Sequence, residues 1–268
     1  MNLTDLFSLE GRVALVTGGS RGIGRMIVQG FLAAGVERVY ITARKGGELH
    51  DTAQELGDKV VPVQGDISTL EGIEELVAEI SGKEERLDIL VNNAGAAWGA
   101  DYLDFPEAGW DKVMDLNVKT PFFLTQKLHK LLTAAASQGK PAKVINIASI
   151  DGLRINPWET YSYQASKAAL IQLTRRMAAR LVKDHVYVTA IAPGAFPSNM
   201  NKVARDAEEA AASGIPNKRV GDKFDMGGSA VYLASRAGDY TVGETLTVDG
   251  GVVNAHLPVH FADPAGGR

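Results

Sequence analysis

Residues 13–24 read Val13-Ala14-Leu15-Val16-Thr17-Gly18-Gly19-Ser20-Arg21-Gly22-Ile23-Gly24, an apolar run that passes directly into a glycine-rich turn. An unbroken apolar run flanked by turn residues is what a strand buried on both faces of a parallel sheet looks like. Beyond the turn, the amphipathic stretch 24–34 has helical periodicity. A strand, a glycine turn and a helix in this order aim backbone N–H groups and a helix N-terminus at one point. That is how pyrophosphate is held. A glycine turn alone is a weak sign, since many only let a strand meet a helix. At the head of a βαβ series it becomes a strong one.

The same alternation continues outward. Apolar runs at 38–42, 60–63, 89–91, 144–147, 186–191 and 245–248 read as six further strands. Segments 47–56, 70–80, 107–132, 161–182 and 225–234 read as helices. Seven strands alternating with helices predict an α/β Rossmann fold: one doubly wound parallel sheet, helices on both faces, a single domain over 1–268. Segment 195–224 breaks the pattern with Pro, Gly, Asn and charge around a helical piece at 204–212. It is expected to be a substrate loop or lid. The tail, 252–268, is expected to pack on a neighbour or fray.

Composition narrows the function class. With 28 basic and 32 acidic residues the net charge is −4, so no strong field invites nucleic acid or a membrane surface. The absence of cysteine excludes disulfides, thiolate metal sites and a cysteine nucleophile. Residues 1–12 do not read as an export signal, and no apolar run approaches the roughly 18 residues of a membrane span. A cytoplasmic protein is the expectation. No metal site is expected either: His129, His185, His256 and His260 lack partners at metal spacing, and His50 lies in a polar helix. Trp98, Trp110 and Trp158 read as packing residues, with Trp98 and Trp158 beside the motifs nearest the site.

The glycine spacing is G-x-x-x-G-x-G, and further motifs follow in chain order. They are Gly65-Asp66-Ile67 after the third strand, Asn92-Asn93-Ala94-Gly95 closing the fourth, Pro193-Gly194 after the sixth and Val248-Asp249-Gly250-Gly251 after the seventh. With these motifs the chain resembles the short-chain dehydrogenase/reductase family from residue 9 to residue 251. The resemblance implies a nicotinamide dinucleotide held by Gly18, Ser20, Arg21, Gly22, Ile23, Gly24, Arg44, Asp66, Ile67, Asn93, Ala94, Gly95, Tyr163, Lys167, Pro193, Gly194 and Ser198. Asp66 matches the family's adenine-contacting acid, and Ser198 stands where many relatives bond the carboxamide through threonine. The second strand ends Ile41-Thr42-Ala43-Arg44-Lys45, without the acid that would bond an adenosine ribose. Arg44, with Arg21 facing it, suits a 2′-phosphate, so NADP(H) is expected over NAD(H). Two solvated surface arginines are the alternative.

Tyr163 and Lys167, at i and i+4, share one helix face. A tyrosine has a pKa of about 10, and a nearby ammonium is expected to lower it toward usefulness as an acid/base. Tyr161 lacks such a partner, because position 165 is alanine. The pattern Y-x-x-x-K is weak alone. The resemblance adds Ser149 as the substrate-orienting hydroxyl, Asn117 as holder of a proton-relay water, and a second task for Lys167 on the nicotinamide ribose. It implies a carbonyl bonded by Ser149 and Tyr163, a hydride delivered to carbon and a proton from Tyr163.

Within the family the likeness is to β-ketoacyl reductases, through the stretches 94–99 and 191–200. A small carbonyl or alcohol substrate is expected, in a pocket near Ala96, Ala97, Trp98, Ile150, Leu153, Ile155, Trp158, Phe196, Met200 and Val203. Arg154 or Lys218 is placed to meet a carboxylate or phosphate. A secondary-alcohol, sugar or steroid dehydrogenase working oxidatively stays open, as does an NADP(H)-sensing protein without turnover. A homo-tetramer, or at least a dimer, is expected through helices 107–132 and 161–182. The second carries Leu170, Ile171, Leu173, Met177 and Leu181, more apolar surface than one core face demands.

Overall fold

The computed structural model describes residues 2–198 and 200–255, leaving aside the side chain of residue 202. Strands β1 (Val13–Thr17), β2 (Arg38–Ala43), β3 (Val60–Gln64), β4 (Ile89–Asn92), β5 (Ala142–Ile147), β6 (Val186–Pro193) and β7 (Thr245–Val248) form one parallel sheet. Its order is β3-β2-β1-β4-β5-β6-β7. The order reverses between β1 and β4, and a ligand crevice opens at the C-terminal ends of strands at such a point. All seven expected strands are present, several longer by one or two residues.

Helices α1 (Leu3–Phe7), α2 (Gly22–Ala33), α3 (Gly46–Leu56), α4 (Leu70–Ser81), α5 (Glu107–Met114), α6 (Thr120–Lys127), α7 (His129–Ala135), α8 (Tyr161–Leu181), α9 (Lys202–Asp206), α10 (Glu208–Ser213) and α11 (Lys223–Ala234) complete the chain. Successive strand residues serve opposite faces. On β1, Ala14 and Val16 join Ile27 and Phe31 of α2 and Met226 and Leu233 of α11 in one core. Val13 and Leu15 join Leu76 and Ile80 of α4 and Leu124 of α6 in the other. Each large side chain so buried contributes about 1.5–3 kcal/mol. On the first face α2 and α11 touch through glycines: a Cβ on Gly30 would stand 2.7 Å from the Gly227 Cα.

Several expectations are corrected here. The expected helix 107–132 is not continuous: α5 passes into a π-helical turn over Asp115–Lys119, then α6, then α7 after a break at Leu128. Pro121 has no N–H to give the Asn117 carbonyl four residues earlier. The Thr120 N–H reaches back to the Asp115 carbonyl instead, and the wider turn faces Asn117 inward. The helical piece 204–212 is two short helices, α9 and α10, separated at Ala207 (φ −142°). Helix α1 was not expected; Asn2 caps it by accepting from the Thr4 N–H.

The apolar residues of α8 are also used within the chain. Leu170, Ile171 and Met177 are buried, and Leu173 and Leu181 pack on the second core. The solvent face of α8 instead shows Ala165, Ala168, Gln172, Arg176 and Ala179. His129 pairs with one carboxylate, Asp184, at 3.1 Å. Of the tail, residues 252–255 continue as turns, with Val252 packed on the 195–224 segment. The remainder, with His256 and His260, lies outside the described residues. Among the described residues no helix is long and apolar enough to cross a membrane.

Candidate active site

The end of β1 builds the first half of the site. Gly18 and Gly22 have positive φ (64° and 51°), which lets the chain turn tightly between strand and helix. A Cβ on Gly24 would stand 2.2 Å from the Gly18 carbonyl oxygen, so the turn folds flat onto the first turn of α2. What remains is a cradle without side chains at the N-terminus of a 12-residue helix. The donor set and the dipole suit a pyrophosphate. Thr17, buried, ties this turn to the end of β4: its Oγ1 accepts from the N–H groups of Asn93 and Ala94, both at 2.9 Å. The Asn93 amide returns the bond to the Thr17 carbonyl at 2.8 Å. The structure thus brings together Gly18, Ser20, Gly22, Ile23, Gly24, Asn93, Ala94 and Gly95, with Ser20 buried and Ile23 packed on the first core.

The ends of β2 and β3 supply the charge. Arg44 is exposed, and its positive charge bears on Asp66. Burial pushes the Asp66 carboxyl up. The Ser68 hydroxyl and N–H, with the Arg44 charge, more than reverse this and leave it below the usual range. Ile67 beside it is buried, and its carbonyl accepts from the Thr120 hydroxyl at 2.6 Å. Arg21 does not stand free opposite Arg44. Glu48, in the first turn of α3, holds it at 2.8 Å. An exposed pair of this kind is worth little and opens easily.

At the end of β6, Pro193 pairs with Val248, and the Gly194 N–H bonds the Val248 carbonyl at 2.9 Å. Ser198 comes down on the glycine turn: a Cβ on Gly22 would lie 3.2 Å from its Cβ. Its hydroxyl accepts from the Asn201 N–H at 3.0 Å.

The second half of the site lies on β5 and α8. Ser149, buried, sits two residues past β5, and its Oγ accepts from the Asp151 N–H at 3.1 Å. Lys167 is buried and donates to the Ile147 carbonyl at 2.7 Å. Its ammonium lies 5.6 Å from the Tyr163 ring centroid. The expected lowering of Tyr163 by that ammonium is not seen. Burial pushes the phenol up to about 12, with Ser149 favouring and Asp151 opposing the phenolate. Burial likewise draws Lys167 down to about 8, against the pull of Asp151. Tyr163 in this state is a proton donor.

Asn117 is 1% exposed. Its Oδ1 accepts from the Ala96 N–H at 2.8 Å, and its amide nitrogen donates to the Ala96 carbonyl and the Ser166 hydroxyl, each at 2.9 Å. Ser166 in turn donates to the Tyr163 carbonyl at 2.7 Å. Both amide hydrogens are committed, so the side chain clamps the 94–96 segment to α8. Of this side chain only an oxygen lone pair is left for the expected relay water, beside the main-chain carbonyl of Asn117 that Pro121 cannot bond.

Sequence reading missed the layer beneath. The Asn92 amide donates to Asn146 Oδ1 at 2.8 Å, and Asn146 donates to the Thr174 hydroxyl at 2.9 Å, all buried. Polar residues inside otherwise apolar strands were the available signal. Glu48 and Ser166 were also missed.

The expected pocket lining divides. Leu153, Ile155, Trp158, Met200 and Val203 are exposed, Ile155 and Trp158 at 88% and 65%. Trp158 is therefore not a packing residue. Trp98 is one: it lies against Gly109, with Lys112 over its ring. Phe196 is buried in the first core, pressed on Gly221, and lines a small cavity of about 60 Å³ with Ile215, Asn217 and Asp249. Lys218 is occupied by the Ser213 carbonyl at 2.9 Å. A groove of about 450 Å³ runs from Gly22 at the edge of this site along α2 to the start of α11.

A family model described as enoyl-(acyl carrier protein) reductase matches residues 18–253. The rhamnolipids biosynthesis 3-oxoacyl-[acyl-carrier-protein] reductase of Pseudomonas aeruginosa is 47% identical over 252 residues, covering 91% of this chain and 97% of that protein. The 2-dehydro-3-deoxy-D-gluconate 5-dehydrogenase of Escherichia coli is 38% identical over 256 residues, covering 93% and 98%. Among solved structures, the Pseudomonas aeruginosa RhlG/NADP active-site complex superposes with a TM-score of 0.89 at 46% identity, covering 94% of this chain and all of that one (100%).

Proposed function

Because the chain belongs to the short-chain dehydrogenase/reductase family, we propose that it is an NADPH-dependent ketone reductase acting on apolar, 3-oxoacyl-type substrates with Tyr163 as proton donor. It is an oxidoreductase of hydroxyl and keto groups. The observation that carries the substrate class is the apolar rim: Leu153, Ile155 and Trp158 after Ser149, and Met200 and Val203 after Ser198, all exposed. Grouped exposed apolar side chains mark a binding surface. A hydrocarbon chain would cover them, whereas sugar hydroxyls laid there would lose water without partners. The gluconate 5-dehydrogenase relatives favour a second reading, a sugar-acid dehydrogenase.

The cofactor is NADP(H), and bound NADPH supplies the hydride. Gly18, Ser20, Gly22, Ile23 and Gly24 would cradle its pyrophosphate, and Arg44, joined by Arg21 once Glu48 lets go, its 2′-phosphate. Asp66 and Ile67 would border the adenine, with Asn93, Ala94 and Gly95 along the adenosine half. Lys167, Pro193, Gly194 and Ser198 would flank the nicotinamide half.

The Ser149 oxygen already accepts from the Asp151 N–H, and its hydroxyl hydrogen, shared with the Tyr163 oxygen, can turn to a carbonyl oxygen bound between the two. Tyr163 gives its proton to that oxygen as charge develops. Donors fixed in advance where charge appears lower the barrier without reorganisation. Lys167, on the same helix face, offers a cation to the phenolate left behind. Asn117 keeps the two halves of the site in register. A homo-tetramer, or at least a dimer, and a cytoplasmic place of action where reduced nicotinamide is regenerated go with this reading.

The experiment is Tyr163→Phe. NADPH binding should persist, while reduction of a medium-chain β-keto ester falls roughly 10²- to 10⁴-fold. Near-normal turnover in that variant would overturn the mechanism.

A further inference from the structure

The adenosine end of the cofactor cradle already carries an anion of its own. Arg21, in the glycine turn, donates from Nη1 to Glu48 Oε2 at 2.8 Å. Arg44, across from it, makes no ion pair or side-chain hydrogen bond among the described residues. Of the two arginines assigned to the 2′-phosphate, one is therefore engaged and the other is not. Glu48 lies in the first turn of α3, an 11-residue helix whose N-cap, Lys45, offers no side-chain acceptor. A carboxylate at that place is favoured by the helix dipole as well as by Arg21.

The backbone that carries this pair is held independently of it. The buried Thr52 hydroxyl on α3 donates to the Ser20 carbonyl in the glycine turn at 2.9 Å. Further along the two helices, Arg25 of α2 pairs with Glu55 of α3. The Gln64 amide donates to the Arg44 carbonyl at 3.0 Å and steadies the turn between β2 and α3. Opening the Arg21–Glu48 pair thus moves two side chains and no element. Both side chains are about half exposed, at 54% and 42%. A Cβ on the neighbouring Gly47 would meet nothing within 4 Å, so the space beside Glu48 is open.

We propose that Glu48 is a specificity-determining residue, a resident carboxylate that competes with the 2′-phosphate for Arg21 and limits the preference for NADP(H) over NAD(H). The inference rests on Arg21 and Arg44 being the partners of that phosphate. NADP(H) must displace Glu48 before Arg21 can reach the phosphate. NAD(H) brings no second anion to this place and leaves the pair closed, so the cost falls on one cofactor alone. An exposed ion pair is weak, which makes the competition a matter of severalfold rather than of orders of magnitude.

The test is Glu48→Gln, which removes the charge and keeps the length of the side chain. Calorimetric titration of adenosine 2′,5′-bisphosphate and of adenosine 5′-monophosphate reads the site without hydride transfer. The variant should bind the bisphosphate roughly 3- to 5-fold more tightly than the wild type and the monophosphate equally well. NADPH and NADH, titrated by fluorescence, should divide in the same way. In an Arg21→Gln background the gain should largely disappear, since no arginine is left to release. Both positions are exposed, and an unchanged far-UV spectrum certifies the fold. Unchanged affinity for the bisphosphate, an equal gain for the monophosphate, or a gain that survives intact without Arg21 would overturn the proposal. Equal binding of the two fragments by the wild type would instead overturn the phosphate-site reading of Arg21 and Arg44.

Discussion

Tyr163 and Lys167 are tuned in opposite senses, the phenol up to about 12 and the ammonium down to about 8. Burial does this to each, because both ionised forms lose solvent. The i,i+4 spacing gave their shared face correctly and their ionisation wrongly, since helical spacing says nothing of depth. Cofactor choice is also decided by single residues. Ala43→Asp with Arg44→Leu adds an acid for the ribose hydroxyl and removes a charge-assisted partner of the 2′-phosphate. Such a bond is worth about 1.5–3 kcal/mol, so the NADPH-to-NADH ratio of kcat/KM should fall about 10- to 150-fold. A parent enzyme that prefers NADH would contradict the role given to Arg44. The four residues Asn117, Ser149, Tyr163 and Lys167 were legible because each stands in a motif. Asn146 and Ser166 were not, because each acts through a partner far away in sequence, and only folding brings the pairs together.

At the scale of elements, strands were read almost to the residue. Buried parallel strands are continuous apolar runs, and the turns that end them carry glycine, asparagine or proline, so both signals agree. Helices fared less well where a local irregularity serves the site. The π turn at Asp115–Lys119 falls inside an otherwise helical pattern, and apolar periodicity cannot resolve one extra residue in a turn. Pro121 was the visible cue, since a proline inside a helix withdraws the N–H that the preceding turn requires. π turns often occur at functional sites, and here the turn delivers Asn117 to Ala96 and Ser166. The helical piece expected at 204–212 is the two short helices α9 and α10, and five or six residues give too little periodicity to show the break between them at Ala207.

The whole molecule is one sheet with its chemistry along one edge, the crevice at the C-terminal ends of β1, β4, β5 and β6. Assembly was expected from apolar residues of α8 that in fact serve the core. What supports it now is the small-residue face of α8 together with exposed aromatic and aliphatic groups before and along α5 and α6: Tyr102, Leu103, Trp110 and Phe122. Twofold contacts there predict a tetramer, or at least a dimer. Light scattering at micromolar concentration should return a multiple of the 28.5 kDa chain mass, and a monomer would contradict it. The central claim, NADPH-driven reduction of an apolar ketone, is tested most directly by kcat/KM across a homologous series of β-keto esters, set against ketoses and, in the oxidative direction, polyols. Each methylene laid on the apolar rim should contribute up to about 0.8 kcal/mol, about a fourfold rise in kcat/KM per carbon. A flat response to chain length with good polyol turnover would contradict the account.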